Sequence, residues 1–111
     1  MISRIDYFSA ICEQYKSEIL QNEDAELLLL PFIKGELAFS FIVPMALDRR
    51  EYDLEISKAG AVIFSDFADV PKIGDESEEE LEQLFRRELS ASIKEFVEMD
   101  FIIENDEIVF Q

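Results

Sequence analysis

From Ile2 to Leu20 the apolar positions Ile5, Phe8, Cys12, Tyr15 and Ile19 recur at steps of three and four, which predicts a helix with one apolar stripe. Ser3, followed three residues later by Asp6, predicts a cap at its start. The polar stretch Asn22 to Asp24 breaks this pattern, and the period then changes. Ala25 to Ile33 (AELLLLPFI) and Glu36 to Val43 (ELAFSFIV) are short apolar runs around Lys34-Gly35, the signature of a hairpin whose turn uses the positive φ open to glycine. Pro31 cannot donate to a strand ladder, so the first of these strands is expected at a sheet edge or at a bulge. From Glu51 to Ser57 the pattern alternates strictly. Tyr52, Leu54 and Ile56 point one way and Glu51, Asp53, Glu55 and Ser57 the other, giving a half-buried antiparallel strand with one wet face. Lys58-Ala59-Gly60 forms the next turn, and Ala61 to Phe67 (AVIFSDF) is a fourth strand.

A loop from Ala68 to Glu76, containing Pro71 and Gly74, leads to a second amphipathic pattern. Leu81, Leu84, Phe85, Leu89, Ile93, Phe96 and Val97 mark a helix from Glu78 to about Glu98. Its start is dense in acid, for six of the eight residues from Asp75 to Glu82 are carboxylates. Ser77 as N-cap and Glu80 three residues on make a capping box, and the positive end of the helix dipole favours the neighbouring acids. Glu82 faces Arg86 one turn later. A helix start thus accounts for most of the cluster without a ligand. Phe101 to Glu104 and Glu107 to Phe110, joined at Asn105-Asp106, read as a terminal hairpin. The order α-β-β-β-β-α-β-β implies one α+β domain over residues 1–111, a mainly antiparallel sheet of about five to six strands with two amphipathic helices.

Charge narrows the range of partners. The chain has 26 acidic and 10 basic residues and no histidine, a formal net charge of -16. Such a field repels phosphate backbones and anionic membrane surfaces, so neither nucleic acid nor membrane is expected to bind directly. Cys12 is the single cysteine, which excludes an intramolecular disulfide. Asp6 and Glu13 interrupt the N-terminal apolar pattern, so no signal-peptide core is evident, and no apolar run approaches the roughly 20 residues that span a bilayer. A soluble cytoplasmic protein is expected.

Little catalytic chemistry is open to this composition. Without histidine, and with its one thiol inside an apolar stripe, the chain lacks the Ser-His-Asp and Cys-His arrangements and the Cys/His zinc sites. Gly35, Gly60 and Gly74 lie far apart in turns, unlike a phosphate-binding loop. Carboxylates remain, in three lines: Glu51, Asp53 and Glu55 on the wet strand face; Asp66 and Asp69 near the following loop; and Asp75, Glu76 and Glu79 at the helix start. None has the spacing of a calcium loop. A two-acid glycosidase needs a sugar cleft that a domain of this size has little room for. A non-enzyme without cofactor or metal is the reading, and these eight acids are its candidate partner-binding residues.

In size, acidity, lack of catalytic groups and expected compartment the chain resembles the small acidic immunity proteins of bacterial toxin and immunity systems, including those of contact-dependent inhibition. That resemblance implies a basic cognate toxin as partner, often a nuclease, with the acids standing in for a phosphate array. The chain is also similar to secretion chaperones, which are small, acidic and α+β and hold an extended polypeptide on apolar patches. That likeness implies sites among Leu27 to Phe32 or Phe39 to Val43, although the extra C-terminal helix of those chaperones is missing here.

Overall fold

Ser3 opens helix α1 (Arg4–Gln14) as expected, its Oγ accepting the Asp6 backbone N–H and donating to the Asp6 carboxylate at 2.9 Å. The computed structural model of the protein describes residues 2–105 and 107–110. It shows α1 to be shorter than the sequence stripe suggests. Lys16 takes a left-handed φ of 59°, its N–H bonds Glu13 O, and Ser17 N–H reaches back to Cys12 O at 2.9 Å. This pairing of bonds ends a helix in a Schellman turn, a device sequence usually announces with glycine. Ile19 still packs against the core, but from extended chain leading into a strand the sequence reading missed, β1 (Leu20–Gln21).

Four longer strands follow: β2 (Leu27–Lys34), β3 (Leu37–Pro44), β4 (Glu51–Lys58) and β5 (Ala61–Asp69). With β1 they make an antiparallel five-stranded sheet in sequential order. Gly35 turns β2 into β3 with φ 62°, and Ala59 and Gly60, both at positive φ, turn β4 into β5. Pro31 lies beyond the short pairing of β1, and its carbonyl accepts from the Ser17 hydroxyl, so its missing N–H costs no ladder bond to β3. Helix α2 (Glu78–Glu98) comes next, then β6 (Phe101–Glu104) and β7 (Glu107–Phe110), which pair as a separate two-stranded sheet. Asp106, half of the expected Asn105-Asp106 turn, lies outside the described residues. The α+β class holds, with a five-stranded first sheet in place of four strands.

Both helices pack on one face of that sheet. Phe8 and Cys12 of α1 and Phe85, Leu89 and Ile93 of α2 meet Leu28, Leu30, Phe39, Phe41, Val43, Leu54 and Ile56 in one buried cluster. Aromatic contacts link it, edge to face from Tyr15 to Phe32, Phe32 to Phe41 and Phe41 to Phe96, and tilted from Phe64 to Phe96. Burial of each large side chain contributes about 1.5–3 kcal/mol. The Tyr7 hydroxyl meets Ser90 at 3.2 Å and the Tyr52 hydroxyl meets Ser92 at 2.7 Å, fixing α2 against α1 and against β4.

One ionic group lies within this apolar layer. Arg4 and Glu82, 2 % and 3 % exposed, form a bidentate pair at 2.6 and 3.0 Å. The Arg4 Nη1 also donates to the carbonyls of Pro44, Ala46 and Arg49 in the β3–β4 connection, and its guanidinium lies over the Phe85 ring. Arg86 bonds Glu82 at 2.9 Å and the Ile2 carbonyl at 2.7 Å. Glu82 therefore does more than brace its own helix through Arg86. It pins the start of α1, the start of α2 and one end of the sheet together.

Candidate functional site

Both helices pack on one face of the sheet, and among the described residues the other face is open. Strand register decides which side chains share it. Odd-numbered positions of β2, even-numbered positions of β3 and the acidic positions of β4 point away from the helices, opposite the buried Leu28, Phe39, Leu54 and Ile56. One row crosses all five strands as Leu20, Leu29, Ile42, Asp53 and Phe67. A second runs Pro31, Ser40, Glu55 and Ser65, and at the β4–β5 side Glu51 stands opposite Asp69. A third runs Ile33, Ala38, Ser57 and Val62. Leu20, Ile33, Val62 and Phe67 are 51, 76, 56 and 58 % exposed, high for apolar side chains on a single face. None of these strand positions is lysine or arginine.

The predicted acids separate into two groups on this architecture. Glu51, Asp53, Glu55 and Asp69 share the open sheet face, with Asp53 and Asp69 exposed and Glu55 half-buried between its cross-strand neighbours. Glu51 is partly neutralised by Arg49, whose Nε donates to it at 3.1 Å. Asp75, Glu76 and Glu79 lie in or beside the start of α2. Asp66 belongs to neither group. It pairs in register with the buried Leu54, so strand alternation turns it to the helix side, where it reaches solvent at the last strand of the sheet and accepts the Phe67 N–H at 2.9 Å. An inward-pointing charge on such a strand hinders edge-to-edge pairing with other chains.

At the start of α2 local bonds cap the backbone and hold the Glu76 and Glu78 carboxylates. Ser77 Oγ accepts the Glu80 N–H at 3.2 Å, and the Glu76 carboxylate accepts the Gly74 N–H at 2.8 Å, which with further backbone bonds holds its carboxyl below the usual range. Arg50 pairs with Glu78, while its Nε is buried without a partner among the described residues. A shallow cleft of about 240 Å³ lies between the β3–β4 connection and α2, lined by Leu47, Asp48, Arg50, Glu78, Glu79 and Glu82. Val70 N–H bonds Arg50 O at 2.9 Å, so this helix start sits at the same end of the sheet as Glu51 and Asp69.

Cys12 is fully buried, and burial pushes its thiol up to about 11, which keeps it protonated at neutral pH. Among the described residues no cluster of three His, Cys, Asp or Glu side chains is arranged to hold a metal ion, and no helix is long and apolar enough to cross a membrane. Leu29 and Ile42 of the open face lie within the segments that the chaperone likeness singled out, whereas Leu20, Ile33, Val62 and Phe67 escaped the sequence reading. In β2 every position from Leu27 to Ile33 is apolar, so alternation, which would have separated Leu28 from Leu29, is invisible there until register is known. Comparison with protein-family models, with curated proteins and with solved structures finds no match.

Proposed function

We propose that this protein is a non-enzymatic binding domain whose partner is a basic protein, and that it acts as an immunity protein or inhibitor of a basic toxin, such as a nuclease, in the bacterial cytoplasm. The observation that carries this reading is the open sheet face, which joins Glu51, Asp53, Glu55 and Asp69 to exposed apolar side chains and has no lysine or arginine at its strand positions. Four carboxylates on one rigid surface attract a cationic partner from a distance and fix its orientation on arrival, which suits an inhibitor that must act before its target does damage. The buried, protonated Cys12 and the absence of histidine fit a protein that binds rather than catalyses.

A second reading, a holder of an extended polypeptide, draws on the exposure of Leu20, Ile33, Val62 and Phe67. Half of the segment Leu27 to Phe32 that it would use is core, for Leu28, Leu30 and Phe32 are buried under the helices. Salt separates the two readings. A tagged protein is used to capture partners from its host at low ionic strength, followed by elution in a rising salt gradient. A stoichiometric basic protein released by salt, toxic when produced alone and harmless when co-produced with this chain, is the expected result. A partner retained at high salt favours the polypeptide holder, and a captured protein that is neither basic nor toxic overturns the immunity reading.

A further inference from the structure

Resting on the reading of a basic partner, we infer that the open sheet face is itself the docking surface and that its occupant is a foreign protein presenting an apolar centre flanked by lysine or arginine, not a second copy of this chain. Two properties of the face lead there. An acid is set among apolar side chains within one cross-strand row, where Asp53 stands between Ile42 and Phe67, and in the neighbouring row Glu55 stands between Ser40 and Ser65. A surface covering Ile42 and Phe67 therefore must also cover Asp53. Its carboxylate loses water on contact and demands a cationic or hydrogen-bonding group in return.

The same arrangement argues against self-association. A face-to-face pair that sets β4 and β5 over their counterparts would bring Asp53, Glu55 and Asp69 of each copy against those of the other, where like charges in contact disfavour a wrong partner by several kcal/mol, and the reversed stacking would lay the same acids on the apolar positions of β1 and β2; in either case no lysine or arginine stands among the outward strand positions to pair them. Area agrees with a protein partner. Four strands of about eight residues at ~3.3 Å rise and ~4.8 Å spacing present roughly 500 Å², much of the ~800 Å² that each side of a standard protein complex buries. The carboxylates thus have two effects: they admit a basic partner and keep the apolar positions from pairing with themselves.

The test uses the whole protein, isotopically labelled, and two synthetic 18-residue amphipathic helical peptides with the same leucine stripe, one flanked by lysine and one by glutamate. Backbone amide shifts on titration map where each binds. The lysine peptide is expected to perturb β3, β4 and β5 around Ile42, Asp53 and Phe67, and the glutamate peptide to leave them unmoved. Asp53→Lys with Glu55→Lys, and separately Ile42→Ser, should each weaken the lysine peptide at least tenfold, while Glu88→Lys, at an exposed position of α2 outside both groups of acids, changes its affinity less than twofold. Perturbation centred on Glu78 and Glu79, or affinity indifferent to the sheet-face variants, overturns the assignment. Sedimentation supplies the second arm. The wild-type protein is expected to be monomeric, and Asp53→Asn with Glu55→Gln and Asp69→Asn to self-associate. A wild-type dimer that Ile42→Ser dissociates would make a second copy the occupant and overturn the proposal. The outcome is independent of whether a toxin is neutralised, so loss of the immunity reading and loss of this surface are told apart.

Discussion

At the scale of single residues, the consequential side chains are those whose charge is under cover. Burial raises the Glu82 carboxyl, but hydrogen bonds and attraction from Arg4 and Arg86 outweigh it and hold it below the ordinary value of 4.5. A carboxylate with a depressed folded pKa adds stability that is present above its unfolded pKa and is lost as pH falls through the folded one. Glu82→Gln should therefore cost about 3–5 kcal/mol at pH 7, because it strands the Arg4 charge, and should also flatten the loss of stability below about pH 4.5. Urea unfolding across that range measures both. Cys12 has the opposite sign. Its thiol is raised from 9.0 to about 11, so the folded state stays protonated where the unfolded chain ionises, and stability drains away between those values as pH rises. Cys12→Ala removes that alkaline slope, although the cavity it leaves lowers stability at every pH, and the wild-type thiol should resist alkylation until the protein unfolds.

At the scale of elements, the caps and turns carry the testable predictions. Ser77→Ala removes the acceptor for Glu80 N–H and should destabilise α2 by about 1 kcal/mol, read from the thermal midpoint. Ala59 occupies a left-handed φ of 53° before Gly60 at 84°, a turn for which Asn-Gly is the favoured pair, so Ala59→Asn should stabilise by about 0.5 kcal/mol. Legibility was uneven at this scale for physical reasons. Helix α2 could be read almost to its ends, since Ser77 announces its start and seven apolar residues repeat at helical spacing. The end of α1 could not, because Lys16 adopts the left-handed turn without being glycine, and the two-residue β1 is too short to show any period. Strand β4 gave its two faces plainly through alternation, whereas β2 concealed its outward leucine and isoleucine positions in an unbroken apolar run. Glu51, Asp53 and Glu55 were thus visible as one face of a single strand. The addition of Asp69 to them, and the displacement of Asp66 to the other side, depended on register between β4 and β5, which a single strand does not contain.

For the whole molecule, the net charge of -16 is unevenly compensated. Arg4, Arg50 and Arg86 have side chains 1, 11 and 11 % exposed and engage carboxylates of the same chain, so little of their positive charge reaches the surface. Mutual repulsion among the remaining acids opposes the compact state, and screening relieves it. Raising sodium chloride from 0.05 to 0.5 M, roughly from a 14 Å to a 4 Å screening length, should therefore raise the thermal midpoint by several degrees. The same salt should slow capture of a basic partner. Opposite responses of folding and binding to one variable would mark the acidity as a property of the surface; a midpoint insensitive to salt would count against it.

The Arg4–Glu82 pair joins positions 78 apart in the chain, and that separation has an order in time. A ribosome makes the first helix long before it makes the carboxylate that neutralises it. Until then, Arg4 cannot enter the interior without leaving its charge uncompensated, so α1 has reason to stay near water while the sheet assembles beside it. A fragment ending before Glu82 should accordingly lack the fixed aromatic signals of the folded protein, and it is the second helix, rather than the first, that closes the molecule around Arg4.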